Sequence, residues 1–252
     1  MGLSVNKLAE ELVKEMIADP LRYNVAVHEL SSGAKVIDAG VEAGGGFRAG
    51  LKAIEICMGG LGDASFCYGT YGELFLPSVF VSTDYPAIAL LGSQFAGWQI
   101  KVGEYFAMGS GPARALSLQP KKIYEKLCYR DPGDKAVLFV EADRLPTEQA
   151  VKYIAESCGV TPENLYLAVA STSSPVGSYQ IAGRVVETGI HKLSELGFLP
   201  NKIVAGWGSA PVAPVHPESE VAMGITNDMI LYGGEVYLDC LLYTSPSPRD
   251  RG

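Results

Sequence analysis

Hydrophobic residues near the start of the chain recur at the spacing of an α-helix, with acidic and basic side chains between them. The apolar positions are Leu8, Leu12, Val13, Met16 and Ile17. A stripe with this period predicts an amphipathic helix. Ser4 or Asn6 can cap its N-terminus, and Asp19-Pro20 is expected to end it, because proline cannot extend a helix.

Other segments carry the patterns of strands and of further helices. Alternation of apolar and polar residues at 24–30 and 34–41, on either side of a short turn, predicts a β-hairpin. Apolar runs predict strands at 74–82, 86–91, 136–141, 165–170, 202–205 and 235–240. Helical spacing predicts helices at 147–158, 179–196 and 218–233, the last interrupted near Gly224, and a proline-rich loop is predicted at 207–217.

The order of these elements predicts a mixed α/β fold of the α+β class, divided into two lobes. Hairpins dominate the first half of the chain, whereas strands alternate with helices in the second half. The polar stretch 118–134 is the best boundary, so we predict an N-terminal lobe over 1–118 and a second lobe over 119–240. Residues 241–252 are polar and rich in proline, and they are predicted to be a non-native or disordered tail.

Composition and charge argue against two classes of partner. The formal net charge is −8, whereas nucleic-acid binding needs clustered Lys and Arg to neutralise phosphates. A polybasic membrane anchor is disfavoured for the same reason. No apolar stretch reaches the roughly 18 residues that a membrane-spanning helix needs, and the first residues lack the pattern of a signal peptide. A cytoplasmic enzyme is therefore expected.

Cysteine and histidine are too few and too scattered to predict a metal site. The chain has five cysteines and three histidines, and no two cysteines have the CxxC spacing. An odd number of cysteines also disfavours a secreted disulfide framework. We expect reduced structural thiols and no bound metal.

Arg184 and Glu187 stand three residues apart in a predicted helix, so their side chains share one face. An arginine beside a glutamate orients the carboxylate, which can then serve as a general base. The alternative is a surface ion pair, which contributes only a few tenths of a kcal/mol. Spacing alone favours that alternative. The small and apolar flanking residues, together with the preceding serine-rich loop at 171–178, favour the catalytic interpretation.

The segment Gly109-Ser110-Gly111-Pro112 is the second candidate for binding chemistry. Backbone N–H groups at the start of a short helix can bind an anion, and Arg114 follows closely. A plain turn is the alternative. A nicotinamide-binding fingerprint is weak here, because Arg114 stands where the third glycine of that motif belongs.

Asn227 and Asp228 place an amide next to a carboxylate. Such a pair can hydrogen-bond the amino-pyrimidinone edge of a pterin, which presents both donors and acceptors. The alternative is a helix cap, since both residue types are common caps. Their pattern alone favours the cap.

Four segments together resemble the methenyltetrahydromethanopterin cyclohydrolase family. They are ICMGGLGD (56–63), DYPAIALLGSQFAGWQIKVGEYFAMGSGPARAL (84–116), VGSYQIAGRVVETGIHKL (176–193) and AMGITNDMILYGG (222–234). The resemblance extends from the N-terminus to about Cys240. The loop APVAPVHPE (210–218) looks more like the bacterial branch, found in formaldehyde oxidation, than the methanogen branch.

This resemblance implies an activity and assigns roles to residues. Water would add reversibly to the methenyl carbon of the pterin carrier and give a formyl product, with Glu187 as general base and acid and Arg184 tuning it. The glycine- and serine-rich loops would line a cleft between the two lobes. The implied substrate-binding residues are Ser93, Gln94, Gly109, Ser110, Gly111, Arg114, Ser178, Asn227 and Asp228.

The resemblance also implies a cellular location and an assembly, and it leaves two alternative functions open. It implies a cytoplasmic homotrimer that uses the pterin as substrate, with no metal and no prosthetic group. Chains of the family continue past the position of Cys240, so the second lobe is expected to be incomplete and followed by a foreign tail. The alternatives are a pterin-binding fragment without turnover and a nicotinamide-dependent oxidoreductase that uses the Gly109–Gly111 loop.

Overall fold

The fold was analysed in a computed structural model that describes residues 2–241. Met1 and residues 242–252 lie outside the described residues. Residues 242–252 of the predicted tail therefore lie outside the described residues.

Helices occupy both halves of the described chain. The α-helices are α1 (Val5–Ala18), α2 (Pro20–Tyr23), α3 (Phe47–Cys57), α4 (Arg114–Ser117), α5 (Lys121–Leu127), α6 (Glu148–Cys158), α7 (Pro175–Ala182), α8 (Val185–Glu195) and α9 (Ser219–Gly233). A π-helix spans Ala87–Gln94, and short 3₁₀ turns lie at Pro162–Asn164 and Pro200–Lys202.

The strands form two sheets in the described part of the chain. They are β1 (Ala26–Glu29), β2 (Lys35–Gly40), β3 (Asp63–Tyr71), β4 (Leu74–Thr83), β5 (Trp98–Val102), β6 (Tyr105–Ser110), β7 (Ala136–Glu141), β8 (Leu165–Ala170), β9 (Ile203–Pro211) and β10 (Glu235–Cys240). A six-stranded sheet has the order β1-β2-β8-β7-β6-β5, and a four-stranded sheet has the order β10-β9-β4-β3. The predicted mixed α/β fold is confirmed.

Three parallel strands form the centre of the larger sheet. β2 pairs with β8, and β8 pairs with β7, in parallel, so their carboxyl ends meet at one edge. Apolar side chains cover both faces: one core cluster packs against α6 and the other against α1, α3 and α7. Ligands of open α/β sheets bind at such a carboxyl edge. A ligand site is therefore expected at this edge.

The first helix shows how local sequence and distant contacts cooperate. Ser4 caps α1 by accepting a hydrogen bond from the backbone N–H of Lys7, as one of the two sequence alternatives predicted. Asn6 has a different role: its side-chain amide donates to the carbonyl of Pro112 and accepts from the backbone N–H of Val137. α1 is thus tied to the start of β7.

Several predicted elements are wrong in detail. The apolar run at 86–91 is not a strand but belongs to the π-helix, in which Phe95 N–H donates to the carbonyl of Leu90 at 2.8 Å. The helix predicted at 179–196 is two helices, α7 and α8. Much of the loop predicted at 207–217 is strand β9, and α9 continues through Gly224 without interruption.

The predicted boundary at residue 118 does not coincide with either sheet. The larger sheet combines β1, β2, β5 and β6 from before that residue with β7 and β8 from after it. The smaller sheet combines β3 and β4 with β9 and β10. The polarity of residues 118–134 indicates a segment at the surface. The two halves of the chain nevertheless both contribute strands to each sheet.

Candidate active site

The centre of the candidate site is the break between α7 and α8. Gly183 occupies this break, where a Cβ atom would come within 2.5 Å of the Ile54 side chain on α3. The carbonyl of Gly183 accepts a hydrogen bond from the Gln94 Nε2 atom at 3.1 Å. Close packing and this side-chain amide therefore stabilise a helix break that the local hydrophobic pattern does not reveal.

Arg184 and Glu187 lie directly after the break. Arg184 occupies the N-cap position of α8, and Glu187 lies in the first turn of that helix. Arg184 Nε donates to Glu187 Oε2 at 2.9 Å, and Nη2 approaches the same oxygen at 2.8 Å. The Glu187 side chain is 2% exposed and the Arg184 side chain 22% exposed. The pair is therefore not the surface ion pair that spacing alone favoured.

The charge of Arg184 is maintained by the carboxylates around it. Burial lowers the pKa of Arg184, but the charge and hydrogen bond of Glu187, followed by the charge of Glu141, raise it above its usual value. Removing either partner of a buried pair would leave an uncompensated charge. The two side chains thus act as one unit.

A network of buried polar groups is joined to the helix break next to this unit through Gln94, which donates to the carbonyl of Gly183. Ser93 Oγ donates to the carbonyl of Cys57 at 2.6 Å, and Gln180 Nε2 donates to Cys57 Sγ at 3.5 Å. The Ser110 hydroxyl donates to the carbonyl of Gln94. Burial raises the pKa of the Cys57 thiol to about 11, so this cysteine is a neutral structural group. The predicted site residues Ser93, Gln94 and Ser110 are thereby brought together with the pair.

Two oxygen atoms at the site have no hydrogen-bond partner among the described residues. They are Gln94 Oε1 and Ser178 Oγ, and both side chains are buried. Buried polar atoms nearly always have a partner, from the protein or from a bound molecule. Both residues were predicted from the sequence to bind substrate.

Arg114 makes contacts that differ from the anion contact predicted for it. Its side chain is fully buried. Nη1 donates to the carbonyls of Ser93 at 2.8 Å and Leu91 at 3.3 Å, and Nε donates to the carbonyl of Gln119 at 2.8 Å. The guanidinium thereby joins the C-terminal half of the π-helix to the segment after α4, while its Nη2 atom has no hydrogen-bond partner among the described residues.

The Gly109–Gly111 segment ends β6 and begins a tight turn. Gly111 has a φ of +112°, which side-chain-bearing residues rarely adopt, and its N–H donates to the carbonyl of Ser93 at 2.8 Å. β6 is antiparallel to both β5 and β7. A dinucleotide-binding turn follows a strand of a parallel βαβ unit, so this topology disfavours the oxidoreductase alternative.

Asn227 and Asp228 lie on α9, a helix that contacts α7. Both are exposed in the middle of α9, so the helix-cap alternative is wrong. Hydrogen bonds and ion pairs found in residues 2–241 do not join them to Arg184 or Glu187. Their predicted contact with a pterin stays a prediction.

Sequence reasoning missed a group of polar residues at the carboxyl edge of β7 and β8. The Thr172 hydroxyl donates to Glu141. Asp143 accepts from the hydroxyls of Ser171 at 2.6 Å and Ser219 at 3.0 Å. The signal was present, since Glu141 directly follows a buried apolar run and polar residues at the ends of parallel strands commonly line ligand sites.

Neither a metal-binding cluster nor a membrane-spanning helix occurs in the described part of the chain. Residues 2–241 contain no group of three or more His, Cys, Asp or Glu side chains placed to hold a metal ion. None of the helices between those limits is long and apolar enough to cross a bilayer.

The fold and site define an α+β protein with a buried carboxylate that an adjacent arginine holds in place. The profile of the family described as Cyclohydrolase (MCH) matches residues 4–244. The chain belongs to this family.

Relatives from three organisms carry the same name. The protein called methenyltetrahydromethanopterin cyclohydrolase from Methanospirillum hungatei is 50% identical over 94% of this chain and 75% of its own length. Its counterpart in Methanosphaerula palustris is 49% identical over the same shares. The counterpart in Methanocaldococcus jannaschii is 50% identical over 93% of this chain and 74% of its own length. The affinity of the 210–218 loop with the bacterial branch stays a prediction.

Proposed function

We propose that this chain hydrolyses the methenyl group of a methenyltetrahydromethanopterin to a 5-formyl group in one-carbon metabolism. The observation that carries this proposal is the buried Arg184–Glu187 pair at the helix break. A methenyl group bridging two nitrogens is a cation, and its carbon is already electrophilic. What a protein must supply is a base for the attacking water and a proton for the departing nitrogen.

Glu187 supplies both proton transfers in this mechanism. Its carboxylate takes one proton as the water oxygen bonds to the methenyl carbon, which gives a neutral tetrahedral adduct. The carboxyl group returns that proton to the departing nitrogen as its bond to carbon breaks. The remaining hydroxyl proton leaves as the carbonyl forms, so one proton is released for each cation hydrolysed.

Arg184 holds the carboxylate in place for these transfers. Both of its donors end on Oε2 of Glu187, and no hydrogen bond to Oε1 is found from residues 2–241. Oε1 is then the oxygen that faces the water. A fixed carboxylate needs no reorganisation at the moment of reaction.

The groups around the pair contact the pterin in this proposal. Gln94 Oε1 and Ser178 Oγ lack partners within the described chain, and the donor groups of a bound pterin would satisfy them. Asn227 and Asp228 bind its amino-pyrimidinone edge. The substrate occupies a cleft between two lobes, each lobe built around one sheet.

The assembly and location complete the proposal. The smaller sheet and α9 leave large apolar side chains exposed, including Phe75, Trp207, Tyr237 and Leu231. A second and third copy of the chain would cover such surface in a homotrimer. The enzyme works in the cytoplasm, uses the pterin as substrate and carries no prosthetic group.

Absorbance of the methenyl chromophore tests the activity directly. The purified chain is mixed with 5,10-methenyltetrahydromethanopterin, and we expect the chromophore to decay faster than in buffer alone. Decay at the buffer rate would overturn the proposal and leave a pterin-binding protein without turnover. Light scattering of the same sample measures the mass of the assembly, for which three chains are expected.

A further inference from the structure

Glu141 is a second carboxylate on the same side of the larger sheet as the Arg184–Glu187 pair. It is the last residue of β7 and pairs with Ala170 of β8 and Met108 of β6. Alternate residues of a strand point to opposite faces. Val137 and Phe139 of β7 pack with α3 and α7, so Glu141 points to that face as well, at the carboxyl edge.

The position of this carboxylate is maintained by a buried hydroxyl. Thr172 donates its hydroxyl hydrogen to Glu141 Oε1, and its own side chain is buried in the loop before α7. No Lys, Arg or His of residues 2–241 forms an ion pair with Glu141. The glutamate side chain is half-buried, so it is held in place while part of it is still open to a ligand.

Glu141, unlike Glu187, has no ion-pair partner within residues 2–241. Arg184 directs both of its interacting nitrogens to Glu187, and the nearby charge of Glu141 also acts on the guanidinium. Arg184 is thus paired with Glu187, and Glu141 is left as the carboxylate without a salt bridge. A half-buried unpaired charge is screened less than an exposed one, and it attracts a ligand of the opposite sign.

We propose that Glu141, held by Thr172, is a specificity residue that favours the cationic methenyl substrate over the neutral formyl product. This inference rests on the proposed function, because only that reaction converts a cation into a neutral product at this site. The uncompensated carboxylate lowers the free energy of the bound cation and leaves that of the bound formyl compound nearly unchanged. The methenyl substrate therefore competes effectively with the accumulating formyl product for the same binding site.

Steady-state kinetics of Glu141→Gln test the proposal. KM for the methenyl compound should rise about tenfold, which is the effect of one nearby charge in a partly screened site. The inhibition constant Ki of the formyl product should change less than about twofold, since the product carries no charge there. Glu141→Asp keeps the charge and should restore most of the ratio of KM to Ki.

Asp134→Asn is the matched control, because Asp134 is an exposed acid just before the opposite end of β7. Its effect on the ratio should be small, since exposed charges are well screened. If Glu141→Gln fails to fold, Thr172→Val removes the hydroxyl without changing the charge and should raise the ratio in the same direction.

Three results would overturn the inference. They are an equal change of KM and Ki in Glu141→Gln, no change of either, or an equal shift of the KM-to-Ki ratio in Asp134→Asn. Each of these requires that the unchanged chain turns over the methenyl compound. Failure of the unchanged chain to do so would instead refute the proposed function, so the two failures are distinguishable.

Discussion

The regions around Arg114 and Arg184 each contain a largely buried arginine, and they use it in opposite ways. Arg114 directs its donors to backbone carbonyls and lies against the rings of Phe95 and Tyr124, 5.3 and 5.7 Å from their centroids. Burial lowers the pKa of Arg114, although Tyr124 and Glu187 partly oppose that effect. For Arg184 burial also lowers the pKa, but Glu187 and Glu141 more than offset it and raise the pKa.

The difference separates a structural arginine from one that can take part in chemistry. Arg114 is fully buried against the protein's own carbonyls and aromatic rings, with only Nη2 lacking a partner among residues 2–241, whereas Arg184 is partly open to solvent and holds a carboxylate. Burial of a charged residue is therefore a weak guide to its role. The groups that the charged side chain contacts are a better guide to its role. Whether a ligand can reach those groups is equally informative.

Glu187→Gln should produce the largest effect, because it removes the only group of the pair that can accept a proton. We expect kcat to fall by about 10³-fold, within the range of general acid–base catalysis, while substrate binding is largely kept. The methenyl absorbance assay measures the rate. Glu195→Gln, an exposed glutamate on the same helix, is the control and should have nearly normal activity. A near-normal rate in Glu187→Gln would remove Glu187 from the role of base.

Arg184→Lys should produce the second largest effect on kcat. It keeps the positive charge but loses the planar group that directs two nitrogens to Glu187 Oε2. A small displacement of a reacting group can cost about 10²-fold in rate, so kcat should fall by about that factor. Circular dichroism should show an unchanged fold. Full activity with lysine would mean that charge alone suffices and that the geometry of the pair is unimportant.

Arg114→Lys is the same substitution in the other region and should affect stability instead. An ammonium cannot replace the hydrogen bonds to the carbonyls of Ser93, Leu91 and Gln119 together. We expect the free energy of unfolding to fall by about 2 kcal/mol, the typical value for a hydrogen bond to a charged group. Urea denaturation measures it. kcat per folded molecule should stay close to normal, and a selective loss of kcat would show that Arg114 contacts the substrate.

The region around Arg184 also shows which features of the site can be predicted from the sequence. The spacing of Arg184 and Glu187 predicted that they share a face, but not that the face is buried. The helix break that presents them depends on Ile54 of α3 and on Gln94 of the π-helix. Both contacts join segments distant in sequence, which a local hydrophobic pattern cannot report.

The segment at 86–91 and Glu141 illustrate two further limits. A short apolar run fits a buried strand and a buried helix equally well by period alone, and here it is helical. Glu141 was missed because a single glutamate after an apolar strand has no motif around it. Its partner Thr172 lies in another loop. The runs at 136–141 and 165–170 are equally short but carry Val, Phe and Tyr, which favour strands, and both do form strands.

Asn227→Ala and Asp228→Ala should have the smallest effects, and they test whether α9 belongs to the site at all. Both side chains are exposed, so the free energy of unfolding should change by less than about 0.5 kcal/mol. If they bind the pterin edge, each substitution removes about 1 kcal/mol of hydrogen bonding and raises KM about fivefold. kcat should be unchanged, because these contacts are the same in substrate and transition state. Thr226→Ser alters the buried neighbour on the same helix as a control. An unchanged KM in both alanine variants would place α9 outside the substrate site and confine recognition to the groups around the helix break.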